Sequence, residues 1–203
     1  MATRTLVRLA TALFAVVILF YSLIETSTVH YAFGAKDIEP TASPQDIHVE
    51  YELPYPGTIN PGSPFWPAKA LRDRIGMEMN RDSLGRAEYE LHLADKRLSA
   101  GWELWSEGHT NDALATFDRA EKYLQKAFDD ISEQEDSPRY RNILRLMSYS
   151  SLKHREVLEQ VMTECGDEAR PMVNKTLDIS KDIFVKSTAK MTDLQMSTPE
   201  NPF

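Results

Sequence analysis

The side chains of Glu88, His92 and Asp95 are spaced so that they could act together. Residues four and seven positions apart share one face of an α-helix, so the three groups could ligate a divalent transition metal. The alternative is a solvated face on which Glu88 and His92 pair weakly. Ferritin-like di-iron bundles need inward Glu-x-x-His pairs on two helices, and the sequence holds no such pair. We therefore predict no metal site and no cofactor.

His154 is the second candidate for chemistry, on the apolar side of a predicted helix between Ser151 and Leu158. A buried imidazole needs a hydrogen-bond partner, for which Tyr149 or Ser151 would serve. We interpret His154 as a satisfied core histidine, with a role as ligand or base as the alternative. No nucleophile motif, phosphate loop or paired-carboxylate signature is evident, so we predict that the chain is not an enzyme.

Three tryptophans, Trp66, Trp102 and Trp105, are the candidate residues for contact with a partner. Trp105 lies on a predicted core stripe and Trp102 beside it, so core packing is the first interpretation. If Trp66 and Trp102 were exposed together, they would form an aromatic patch for a partner helix, peptide or glycan.

Long amphipathic helices must position these residues. From Asp82 to Glu107, apolar and small residues recur at alternating steps of three and four, which predicts a helix with a coiled-coil-like stripe. Residues 111–134 repeat the pattern after Gly108, which predicts an antiparallel hairpin. The first stripe consists of Leu84, Ala87, Leu91, Ala94, Leu98, Gly101 and Trp105.

Three further helices complete the predicted domain, residues 63–196. Ser137-Pro138 should begin a third long helix and Asp167 a fourth, and a short helix should start at Ser63-Pro64. The sequence thus predicts an all-α, antiparallel bundle of about four long helices plus a short N-terminal helix, followed by a disordered tail at 197–203. The short helix should pack on a neighbouring hairpin through Phe65, Trp66, Ala68, Leu71 and Ile75.

The amino terminus, residues 1–24, is predicted to be a transmembrane anchor. Its apolar run at 9–24 approaches the ~20 residues that a spanning helix needs, with Arg4 and Arg8 before it. The positive-inside rule places the N-terminus in the cytoplasm and the rest outside it, as a single-pass protein. A cleaved signal peptide is the alternative. The proline-rich stretch 25–62 should be an extended linker.

Composition excludes several classes of protein. The chain has 203 residues and a formal net charge of −8. Such an acidic domain repels phosphate backbones, which argues against nucleic acid as a partner. Cys165 is the only cysteine, so the chain can form neither an intrachain disulfide nor a multi-cysteine metal site.

Two segments resemble a known family. They are PGSPFWPAKALRDRI, then RAEYELHLADKRLSAGWELWSEGHTNDALATFDRAEKYLQKAF, and together they look like domain of unknown function 5667 over residues 54 to about 130. The resemblance implies a membrane-anchored or exported helical protein without an established activity. It supplies no catalytic residue.

We therefore predict a non-enzymatic, membrane-anchored, extracytoplasmic helical scaffold or protein-interaction module of the cell envelope. Its expected partners are the membrane, through the N-terminal helix, and an envelope protein or a second copy. A stripe that closes a bundle can equally join two chains. The alternative is an extracytoplasmic ligand- or metal-sensing regulatory domain, and an enzyme of unknown reaction comes third.

Overall fold

The computed structural model describes Ala15 and residues 47–57, 66–80 and 82–203. Within these ranges the protein is a helical bundle without strands, which confirms the predicted all-α class. The five helices are α1 (Trp66–Met79), α2 (Ser83–Ser106), α3 (Thr110–Ile131), α4 (Pro138–Glu164) and α5 (Arg170–Asp193).

Local sequence signals set three of the helix ends. Asp82 caps α2 by accepting a hydrogen bond from Gly85 N at 3.1 Å, and Ser137 caps α4 by accepting one from Tyr140 N at 3.2 Å. Gly108, with a φ of +82°, closes the turn after α2 as predicted. The predicted start of the last helix at Asp167 is wrong by three residues, because residues 167–169 form a turn before α5.

Small residues let α2 and α3 approach closely. Ala87 and Ala94 are fully buried, and a Cβ at Gly101 would collide with the ring of Phe117 on α3. The two helices are antiparallel, since Arg86 near the start of α2 pairs with Asp130 near the end of α3. The predicted hairpin and its small-residue stripe are confirmed.

The second hairpin, α4–α5, packs beside the first in the same orientation. Chain direction alternates along the sequence, but α2 and α4 are parallel neighbours, and α3 and α5 are the other parallel pair. Three polar contacts show that α2 and α4 run in the same direction, because the residue numbers increase together on both helices. These contacts are Glu88–Arg139, Asp95–Ser150 and Trp105–Glu164.

Helix α1 packs on α2 with an orientation opposite to the predicted one. Leu71 and Ile75, expected to face a hairpin, are exposed, whereas Asp73 is buried. The reason is an ion pair between Asp73 and Arg97 of α2, which turns the polar side of α1 inwards. Phe65 lies outside the described residues.

Two non-helical segments lie at the ends of the described domain. Residues 47–57, here called the arm, fall in the predicted linker, and Val49 and Tyr51 of the arm are buried against the helices. Residues 197–203 have no regular secondary structure, and the ring of Phe203 lies 4.1 Å from the Arg155 guanidinium carbon.

The predicted anchor, residues 1–24, lies outside the described residues apart from Ala15. In the ranges that the structure does describe, no helix is both long and apolar enough to cross a membrane.

Candidate functional site

A network of fully buried polar side chains lies at the centre of the bundle. His154 of α4 sits between Asp95 of α2 and Glu121 of α3. Its Nδ1 lies 2.5 Å from Glu121 Oε1, and its Nε2 lies 3.2 Å from Asp95 Oδ1. The prediction of a satisfied core histidine is confirmed, but its partners are these carboxyl groups rather than Tyr149 or Ser151.

Hydroxyl groups extend the network at both ends. Asp95 Oδ1 accepts a hydrogen bond from Ser150 and Asp95 Oδ2 one from Tyr51, each at 2.6 Å. Ser180 of α5 lies beside the Glu121 carboxyl group. Ser180 Oγ donates to the Leu177 carbonyl oxygen at 3.0 Å, and Glu121 Oε2 accepts no hydrogen bond from the described residues. All four long helices and the arm therefore meet in this network.

The two carboxyl groups determine the charge of His154. Burial would lower the pKa of His154, but Glu121 and Asp95 outweigh it and raise that pKa to about 9. Burial raises the pKa of Glu121, and the imidazolium opposes part of that rise. His154 is thus an imidazolium at neutral pH. Any slip between the helices would leave a buried charge unpaired, so the network fixes their register.

The arm is joined to the bundle by two polar contacts. Tyr51 donates to Asp95, and Val49 N donates to Glu156 Oε2 of α4 at 2.6 Å. Between these two residues the backbone bends at Glu50, where Tyr51 N donates to Val49 O at 2.7 Å, and this tight turn places both side chains against the helices. The network therefore holds the segment through which the N-terminal chain reaches the domain.

A second polar cluster lies between α1 and α2. Asp73, which is 2% exposed, pairs with Arg72 at 2.9 Å and with Arg97 at 3.6 Å. Burial and the charge of Asp73 raise the pKa of Tyr89 to about 12. The Arg97 guanidinium also stacks over the Tyr123 ring at 4.6 Å. This cluster holds α1 in place through charged groups rather than through an apolar face.

The predicted metal-binding face is divided between separate environments. Glu88 forms a two-fold ion pair with Arg139, so its predicted weak pairing with His92 is wrong. Asp95 is committed to the central network. His92 is partly buried, and burial lowers its pKa. Among the described residues, no three His, Cys, Asp or Glu side chains are grouped so that they could hold a metal ion.

The tryptophans occupy two regions. Trp102 and Trp105 are partly buried against an apolar cluster of α2, α3, α4 and α5. Trp105 Nε1 donates to Glu164 Oε2 at 2.8 Å. Trp66 begins α1, and its side chain lies outside what the structure describes.

Sequence reasoning missed Glu121, Tyr51, Ser150 and Ser180 as members of the network. A signal existed for Glu121, which follows Phe117 by four positions and precedes Leu124 by three, in register with the apolar stripe. A charged residue at such a position should be buried and paired. Tyr51 carried no such signal, because the arm lacks periodicity.

Comparison with known proteins identifies the family. The model of a domain of unknown function, DUF5667, matches residues 58–168, which is more than half of the chain. The chain belongs to this family. No curated protein and no solved structure matches it.

The match to the DUF5667 model is longer than the predicted resemblance, because it continues through α4. Asp95, Glu121 and His154 all lie inside it, whereas Tyr51 of the arm and Ser180 of α5 lie outside. The central three residues of the network therefore belong to the domain proper. The arm and α5 are the parts of this chain that complete the network.

Proposed function

We propose that this DUF5667 protein is a non-enzymatic, membrane-anchored helical module that binds a protein partner outside the cytoplasm. One observation supports the proposal that the protein is not an enzyme. The imidazole and two carboxyl groups best suited to acid–base chemistry, His154, Asp95 and Glu121, are all fully buried, and each carboxyl group is hydrogen-bonded to a different nitrogen of His154. A general base must reach a proton of its substrate, which a sealed network does not allow.

The membrane attachment is supported by the sequence and by the arm. The apolar run at residues 9–24 is long enough to act as an anchor, with Arg4 and Arg8 on its cytoplasmic side. The arm joins the bundle through Tyr51 and Val49. A pull on the N-terminal chain would thus act on the core of the bundle, as a tethered module requires.

In-cell crosslinking of the full-length chain in its native membrane tests this proposal. The captured proteins and the intact amino terminus are identified by mass spectrometry. We expect an uncleaved chain with a reproducible envelope partner, and loss of that partner in Trp66→Ala or Trp102→Ala. Val185→Ala, at an exposed site on α5, is the matched control and should leave capture unchanged. A cleaved, soluble chain without a partner would contradict the proposal.

A ligand-sensing role is the second candidate, and His92 is the observation that favours it. His92 Nδ1 is buried and has no hydrogen-bond partner among the described residues. Burial and nearby positive charge, including that of Arg72, lower the pKa of both Lys69 and Lys96 in the same cluster. An anion would satisfy this site better than a metal. Titration with inorganic phosphate, followed by the thermal midpoint, should show saturable stabilisation that His92→Phe abolishes.

A further inference from the structure

Helix α1 presents an apolar stripe to solvent. Leu71, Ile75 and Met79 recur every four residues and are 59%, 40% and 49% exposed. They are three of the seven large apolar side chains exposed in the described ranges, and they share one face of a 14-residue helix. A concentrated apolar face of this kind marks an interaction site.

The polar contacts on the other side of α1 keep the stripe outside. Asp73 is buried in its ion pair with Arg97, and Gly76 faces Tyr89 so closely that a Cβ there would collide with the phenol ring. Turning the stripe inwards would break the ion pair and remove the glycine from this contact. The bundle itself therefore does not provide cover for the stripe.

We propose that the α1 stripe rests on the surface of the bilayer in which the chain is anchored. The inference depends on the proposed anchor and names a second membrane contact. The segment between anchor and arm, residues 25–46, spans at most roughly 75 Å when fully extended. The arm then ends at α1, where Pro56 O accepts a hydrogen bond from Lys69 Nζ at 3.0 Å. The start of the arm contacts Glu156 of α4 and its far end contacts α1, and the tether is long enough to let α1 reach the bilayer.

The local charge of α1 is compatible with a lipid surface, in contrast to the net charge of the domain as a whole. The chain has 23 basic and 31 acidic residues, of which only Arg4, Arg8 and Glu25 precede residue 36. The rest of the chain therefore has 21 basic and 30 acidic residues, and this net negative charge repels an anionic surface. In α1 the basic residues outnumber the acidic ones, and Asp73 is withdrawn into its buried ion pair. Arg72 remains partly exposed beside the stripe.

The size of the stripe also favours lipid over a second copy of the chain. A stable protein interface buries about 800 Å² on each partner, with some 20–30 residues a side. Three side chains of one short helix are too few for that. A bilayer accepts a smaller apolar face when another attachment signal is present, as the anchor would be here.

The test uses the full-length chain in vesicles of phosphatidylcholine, with or without phosphatidylglycerol. In a Cys165→Ser background, a polarity-sensitive dye is attached through Ile75→Cys or, as a control at an exposed site on α5, through Val185→Cys. Lipids with a nitroxide near the headgroup are then added. We expect quenching of the dye at position 75, stronger with phosphatidylglycerol, and little quenching at position 185.

Two asparagine substitutions test whether the stripe itself makes the contact. Leu71→Asn with Met79→Asn should abolish most of the quenching at position 75, because an amide is costly to place among acyl chains. Met172→Asn, at an exposed site on α5, should not change it. Far-UV circular dichroism confirms that each variant remains helical.

Vesicle flotation separates failure of this inference from failure of the anchor. A chain that floats with the vesicles but shows no quenching at position 75 would overturn the α1 contact and leave the anchor intact. A chain that stays at the bottom would overturn both. Dye–dye self-quenching at position 75 without lipid quenching would show that the stripe joins two copies, which also overturns the membrane contact.

Discussion

Removing the Tyr51 hydroxyl should weaken the attachment of the arm. In Tyr51→Phe the ring stays in place, while Asp95 Oδ2 loses a donor that lies 2.6 Å away at a fully buried position. A hydrogen bond to a charged group contributes about 1.5–3 kcal/mol, so we expect unfolding to become easier by about 2 kcal/mol. Urea denaturation of the full-length chain, followed by far-UV circular dichroism, measures this loss.

Tyr55→Phe is the matched control, because Tyr55 is 70% exposed in the same arm. Its effect should stay within about 0.5 kcal/mol. Limited proteolysis adds a local readout, since cleavage within residues 47–57 should be faster in Tyr51→Phe only. Equal stability and equal cleavage in the two variants would refute the idea that the network holds the arm.

The other predictions concern pH, packing and capping. The folded pKa of His154, about 9, exceeds the unfolded value of 6.5, so the folded state binds the extra proton. The free energy of unfolding should therefore be highest below pH 6.5 and should fall by about 3 kcal/mol as pH rises through 9. In His154→Gln this pH dependence should be much weaker. Urea denaturation of both proteins across that pH range tests the prediction. Gly101→Ala should cost about 1–3 kcal/mol through collision with Phe117, whereas Gly166→Ala, which meets no atom within 4 Å, should cost little in the same assay. Ser137→Ala should lower the thermal midpoint through a loss of about 1 kcal/mol at the α4 cap, and an unchanged midpoint would contradict that role.

The central network was only half visible in the sequence. His154 was assigned to the core because it falls in the apolar register of α4, and that assignment is confirmed. Its partners could not be named, since Glu121 is 33 residues away and Asp95 is 59 residues away along the chain. Periodicity shows which face of a helix is buried, but it does not show which other face it meets.

The orientation of α1 shows a different limit. Leu71 and Ile75 have the spacing of a buried face, and the prediction placed them inside. The prediction fails because one buried ion pair and one close glycine contact on the opposite side compete with that stripe. A short helix that can present either of two faces has its rotation decided by its neighbours.

The sequence by itself determined the helical class, the α2–α3 hairpin, the start of α4 at Ser137-Pro138, and membership of the DUF5667 family. These features depend on residues close together in the chain, where local hydrogen bonds and apolar spacing act. Tertiary structure alone decided how the hairpins pair, which charges meet at His154, and where the arm lies. Each of these is a contact between distant segments, and its free energy depends on charges and shapes that meet only after the helices pack.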